Sequence, residues 1–155
     1  MDKLEYRNAS ILDLPSVLEI RFSVNENRLD NPNRVTTQIL EDYLEMLFSQ
    51  RDLDLRGWVC ERNGRVVGFC YAEKGNASIW GLFVAPEHAG KGIGKGLLNL
   101  AVSWLFGLGL QQIRLSTGIN TRAAQFYQAL GWRKTRMKNS HEAWFCLTRP
   151  VGELV

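Results

Sequence analysis

The chain alternates between two kinds of hydrophobic spacing, and the switches between them set out its elements. Glu5 to Ala9 has the period of a short strand. Asp13 then offers an N-cap, with Pro15 in the first turn, to a helix whose apolar positions are Val17, Ile20 and Val24, joined by Leu14 and Leu18. That helix is expected to end near Asn25. A polar link, Asn25 to Arg34, follows and contains the turn signature Asp30-Asn31-Pro32-Asn33. Thr36 or Thr37 caps a second helix with Ile39, Leu40, Tyr43, Leu44 and Leu47 on one face.

Period two then takes over. Trp58-Val59-Cys60 and Val66 to Cys70 flank Asn63-Gly64, the dipeptide that accepts positive φ at both positions of a tight turn, so Gly57 to Glu73 reads as a hairpin. Gly75-Asn76 turns the chain into a central strand, Ser78 to Val84. Helical spacing returns at Leu97, Leu98, Ala101, Val102 and Leu105 and stops at Gly107 and Gly109. Ile113 to Thr117 alternates as a strand. Thr121 caps a helix from Arg122 to about Leu130, which Gly131 ends, and Trp132–Met137 and Ala143–Thr148 close the chain as strands. This order predicts one α/β domain over residues 1–155 with a mixed sheet, its central strand joined to the Ile113 strand by a right-handed parallel crossover.

Between the central strand and its helix lies Ala89-Gly90-Lys91-Gly92-Ile93-Gly94-Lys95-Gly96. Strand, glycine-rich turn and helix together make a helix N-terminus with exposed N–H groups, a site for phosphate or pyrophosphate. Four alternate glycines let the main chain approach a ligand closely, and Lys91 and Lys95 add positive charge. The turn is not a P-loop, because Gly94-Lys95 is followed by Gly96 rather than by Ser or Thr. It is not a dinucleotide fingerprint either: the third glycine is misplaced, and the strand around Leu115 carries no acidic residue.

Leu82-Phe83-Val84-x-Pro86-Glu87, the Gly-x-Gly turn, and Asn120 followed by Tyr127 and Leu130-Gly131-Trp132 resemble the GNAT superfamily of N-acetyltransferases. The resemblance is close in the second half of the chain and loose in the first. It implies an α/β (α+β) fold with a mostly antiparallel sheet, helices on both faces and a splayed central parallel strand pair. It also implies acetyl-CoA as cosubstrate, its pantetheine lying along Phe83, Val84 and Ala85, and its pyrophosphate on the main chain of Gly90, Lys91, Gly92, Ile93, Gly94 and Lys95. Asn120 would reach the pantetheine, and Arg122 is either a phosphate contact or a solvated charge. Tyr127 would protonate the departing thiolate as general acid, and the Val84 N–H would stabilise the tetrahedral oxyanion. Glu26, Arg28 and Trp80 would border the acceptor. The sequence departs from the family at Ala89, where Gln or Arg is usual, and at Ser78, where many relatives place a glutamate base. Glu26, Glu73, His88 and Glu142 stand as candidates for that role.

Composition narrows the alternatives. A net charge of +3 is spread along the chain, which argues against a nucleic-acid partner. Cys60, Cys70 and Cys146 have no metal-ligand spacing and read as buried free thiols, and His88 and His141 have no partner motif, so no metal is expected. No stretch reads as a signal peptide or a membrane span, which leads to a cytoplasmic expectation. The reading is therefore an acetyl-CoA-dependent N-acetyltransferase acting directly on a primary amine of a small molecule or peptide. A homodimer through the C-terminal strands is a possible assembly. The alternative is a catalytically silent acetyl-CoA-binding module of the same fold.

Overall fold

The computed structural model describes residues 3–23 and 55–150. The expected second helix, and the link that holds Glu26 and Arg28, lie outside these. Seven strands form one sheet: β1 (Leu4–Asn8), β2 (Leu55–Arg62), β3 (Arg65–Glu73), β4 (Ser78–Val84), β5 (Gln112–Gly118), β6 (Arg133–Met137) and β7 (Glu142–Thr148), in the order β1-β2-β3-β4-β5-β7-β6. Every pairing is antiparallel except β4 with β5. Helix α1 (Leu14–Ser23) packs on β3 and β4 from one face. Helices α2 (Ile93–Gly107) and α3 (Arg122–Ala129) share a core on the other.

The alternation of side chains along the strands explains the two cores. Trp58, Cys60, Cys70, Ala72, Ile79, Ile113, Leu115, Ala143 and Phe145 point to the α2–α3 face, where Leu97, Leu98, Ala101 and Leu105 of α2 cover them. Val59, Phe69 and Tyr71 point the other way and meet Val17, Leu18 and Ile20 of α1. The β2–β3 turn has Asn63 at φ 53° and Gly64 at φ 85°, as the dipeptide predicts. Cys60 and Cys70 are buried free thiols, but Cys146 is only half-buried, because it lies on the sheet face that α1 leaves open.

The start of α1 differs from expectation. A 3-10 turn, Ile11–Asp13, precedes it and Ser10 is the N-cap. Asp13 is not the N-cap but the third residue of this turn, where its carboxylate closes a capping box with Ser10 and is also held by Arg7. Arg7 donates to both oxygens at 2.8 Å, and the Ser10 N–H donates to Oδ2 at 2.8 Å. This corner fixes how the chain leaves β1 and crosses onto the α1 face.

Helix α2 is gripped at both ends of the chain. A Cβ on Gly96 would run into the Tyr6 ring and hydroxyl, so glycine here lets Tyr6 of β1 lie against the helix. At the other end, Arg149 donates through its Nη2 to the Phe106 carbonyl and, at 3.2 Å, to the Leu110 carbonyl.

The guanidinium beside Asp13 holds its carboxyl below the usual carboxylate range, with the Ser10 N–H contributing. A depressed native pKa gives stability that is complete above the unfolded value of ~3.9 and is lost as pH falls through the native value. Asp13→Asn is expected to lower stability at neutral pH by about 1–2 kcal/mol and to flatten the acid limb, as read by urea denaturation across pH.

Candidate active site

Strands β4 and β5 touch only at their start. Their one registered pair is Ser78 with Arg114, supported by the Arg114 N–H bond to the Ala77 carbonyl at 2.8 Å. Beyond it they part, while β5 stays fully paired to β7 and β4 to β3. The β3–β4 register slips between Cys70 and Tyr71, so that Gly81 is an extra residue at φ 71°. A Cβ there would lie 3.1 Å from the Tyr71 ring. Gly81 is thus a bulge residue, which bends β4 and increases its twist.

The consequence for main-chain groups follows from antiparallel alternation. Ala85 donates to the Val67 carbonyl at 2.8 Å and its own carbonyl accepts from His88, so both of its main-chain groups are engaged within the fold. Bonded pairs recur every second residue, which makes Phe83 with Phe69 the next such pair. Leu82 and Val84 therefore turn their N–H and C=O groups away from β3, into the opening. The main-chain groups of Phe83 and Ala85 thus face into the sheet and its turn, and Leu82 joins Val84 in facing the crevice. The bulge sets which residues face the crevice, and periodicity alone gave no sign of it.

At the mouth of the crevice, Gly90 and Gly92 adopt φ 77° and 81°, with no atom within 4 Å of where a Cβ would stand. Gly92 is the N-cap of α2 and makes no side-chain cap, and the first helical bond runs from the Gly96 N–H to the Gly92 carbonyl. The N–H groups of Ile93, Gly94 and Lys95 thus precede the helical bonding pattern, and the exposed Lys91 and Lys95 flank them. Gly94 and Gly96 differ from the two turn glycines. Gly94 has room for an ordinary contact with Val84 and Phe126, whereas Gly96 serves the packing of Tyr6.

From the α2–α3 face, α3 presents Tyr127. Thr121 caps α3, accepting from the Ala124 N–H at 3.1 Å, and Asn120 is an exposed turn residue at φ 59°. Tyr127 is 6% exposed and packs edge-on against Phe126 and Trp132. Burial pushes its phenol well above the usual range, and the Cys70 thiol of β3 adds to this. The phenol therefore keeps its proton at neutral pH.

Comparison with known proteins gives this arrangement its context. The model of the acetyltransferase (GNAT) family matches residues 20–132. The chain belongs to this acetyltransferase family. Among curated proteins it is 32% identical over 190 aligned positions to an uncharacterised N-acetyltransferase of Methanocaldococcus jannaschii, covering 96% of this chain and 82% of that one. This acetyltransferase also shares its fold with solved structures. The PaiA N-acetyltransferase of Thermoplasma acidophilum, solved with coenzyme A, superposes with a TM-score of 0.77 at 20% identity, covering 95% of this chain and 99% of that one. The Escherichia coli ribosomal-protein-S18-alanine N-acetyltransferase superposes with a TM-score of 0.73 at 16% identity, covering 100% and 99%. The protein is an N-acetyltransferase, and a silent binding module is not favoured.

The α1 face of the acetyltransferase crevice is lined differently. Phe83 carries the Arg21 guanidinium 4.6 Å above its ring, and Tyr71 stacks on the exposed Trp80 with centroids 4.9 Å apart. Burial lowers the pKa of Arg21, while Tyr71 and Glu142 oppose that shift. Arg21 was not singled out from sequence, where it reads as an ordinary charge near a helix end. Among the candidate bases, Glu73 sits at the far end of β4, ~20 Å along the strand from Val84, bonded to Asn76. His88 holds the Arg62 guanidinium through Nδ1 at 3.0 Å. Glu142 stands opposite Gly118 at the carboxyl end of β5, on the open face. Among the described residues, no group of His, Cys, Asp or Glu is placed to hold a metal ion, and no helix is long and apolar enough to cross a membrane.

Gly81→Ala forces a Cβ into left-handed backbone and against Tyr71, whereas Gly64→Ala meets open space. Both are expected to lose about 1–2 kcal/mol from the backbone, with the additional contact making Gly81→Ala the worse of the two in urea denaturation.

Proposed function

We propose that the protein transfers the acetyl group of acetyl-CoA directly to a primary amine, within the crevice between β4 and β5. The observation that carries this reading is the bulge-driven splay, which leaves the main-chain groups of Leu82 and Val84 as a strand edge leading to the glycine turn. An extended pantetheine arm fits that edge as an extra strand. The pyrophosphate meets the N–H groups from Gly90 to Lys95, where glycine geometry and open space permit close approach. Asn120, at the crevice end of β5, reaches the same arm.

On this reading the amine approaches from the α1 face, because α2 and α3 cover the other. The Val84 N–H receives the oxyanion of the tetrahedral intermediate. Tyr127 gives its proton to the thiolate as the carbon–sulfur bond breaks, and its raised pKa keeps that proton in place until then. Glu142 accepts the ammonium proton through ordered water, with Trp80 bordering the acceptor. Ala89 supplies no side-chain contact to the pyrophosphate, so the backbone donors carry that interaction. Among the described residues the serine hydroxyl that bonds to a carboxylate is Ser10, on Asp13 at the corner after β1 and away from the crevice, which favours direct transfer over an acyl-enzyme.

Calorimetric titration with acetyl-CoA is expected to give micromolar binding that Gly92→Glu abolishes; no binding by the native chain would overturn the cofactor assignment. Tyr127→Phe is expected to lower kcat by ~10²-fold at every pH, since its phenol does not titrate in the working range. Glu142→Gln should instead lose most at neutral pH and recover as pH rises past ~10.4, where a lysine-like amine becomes mostly deprotonated. Pre-steady-state thiol release, followed across pH, separates the two patterns.

A further inference from the structure

The two edges of the sheet carry charge in opposite ways. At the β1 edge cations are neutralised locally: Lys3 pairs with Glu5 at 2.9 Å, and Arg7 pairs with Asp13 at 2.8 Å and Glu61 at 3.0 Å. At the β6 edge, Arg133, Lys134, Arg136 and Lys138 follow within six residues with no acid between them. Arg133, Lys134 and Arg136 make no ion pair among the described residues, and β6 is exposed along its whole length.

Strand register places most of this charge on one face. Arg114 and Arg133 both stand opposite Cys146, and Arg136 stands opposite Trp144. The alternate residues Ala143 and Phe145 are buried under α2 and α3, so the cations lie on the opposite face, beyond the part of it that α1 covers. Trp144 anchors them, with the Arg114 guanidinium 4.4 Å and the Lys138 ammonium 5.1 Å from its ring centroid. Among the described residues the acid beside them is Glu142, 3.8 Å from Lys138. Lysine and arginine on an edge strand also discourage edge-to-edge aggregation. That role does not require them to gather on one face around a tryptophan beside the carboxyl end of β5.

We propose that this face is a docking surface for an acidic polypeptide segment, and that the preferred acceptor is a peptide or protein amine with carboxylates nearby in its chain. The inference rests on the acetyltransfer reading and names the substrate class for the same site. Charge complementarity selects the occupant. A second copy would bring four cations against four. A nucleic acid would need an aromatic face for base stacking, and the Trp144 ring already carries two cations. Carboxylates on an extended chain match spaced guanidinium groups without stacking.

The test compares two peptides of equal length with one free amine each, one bearing glutamates downstream and the other glutamines. At low salt the native chain is expected to acetylate the glutamate peptide with kcat/KM about tenfold or more higher, an advantage that shrinks as salt is added. Arg133→Glu with Arg136→Glu should erase the advantage and leave turnover of a small neutral amine unchanged. Equal kcat/KM for the two peptides, with the small amine still turned over, would overturn the proposal. So would tighter binding of a single-stranded RNA oligonucleotide than of the glutamate peptide, lost in the same variant. If no amine is turned over, the acetyltransfer reading fails separately. Fluorescence anisotropy of the two peptides then decides the docking claim: preferential, variant-sensitive binding of the glutamate peptide supports it, and equal binding sinks it.

Discussion

The site depends on a backbone constraint, the extra residue in β4. With Gly81 inserted opposite β3, the strand bends, its pairing to β5 ends after Ser78, and the main-chain groups of Leu82 and Val84 are left without a strand partner. Unpaired backbone groups inside a sheet are costly unless something bonds to them. The fold therefore carries a strand-shaped gap near its middle. The glycine turn follows β4 and runs straight into the start of α2.

The division of labour between the two faces follows from the same gap. The α2–α3 side is closed and apolar, which raises the Tyr127 phenol and keeps it protonated. The α1 side holds the charged and exposed aromatic groups: Arg21 on Phe83, Trp80 on Tyr71, Glu142, and the cations around Trp144. The buried phenol thus sits on one side of the sheet and the charged groups on the other.

Much of this was legible in the chain. The hairpin around Asn63-Gly64 and the cap at Thr121 are local signals, and each stands where its chemistry predicts. What was not legible depends on register. Phe83 and Leu82 are adjacent apolar residues in one strand, and only the position of the bulge decides which turns its backbone inward. Asp13 looked like the N-cap, but Ser10 takes that place and Asp13 closes the turn, its carboxylate also held by Arg7 across the corner after β1. Gly96 looked like part of a phosphate turn, although its contact is with Tyr6, ninety residues earlier in the chain. Arg21 gave no signal at all, since its role arises only where α1 crosses the Phe83 ring. The charge of +3 looked scattered along the sequence, yet the β5–β7–β6 register gathers four cations on one face.

The grip on α2 has a consequence for how the site is assembled. The helix that presents the glycine turn rests on Tyr6 at one end and on Arg149 at the other, two residues far apart in sequence. Contacts of such wide sequence separation form late in folding, after the entropy of closing long loops has been met. The glycine turn is then among the last parts of the fold to be seated. A change at Tyr6 or Arg149 would loosen it from a distance, without altering any residue of the turn itself.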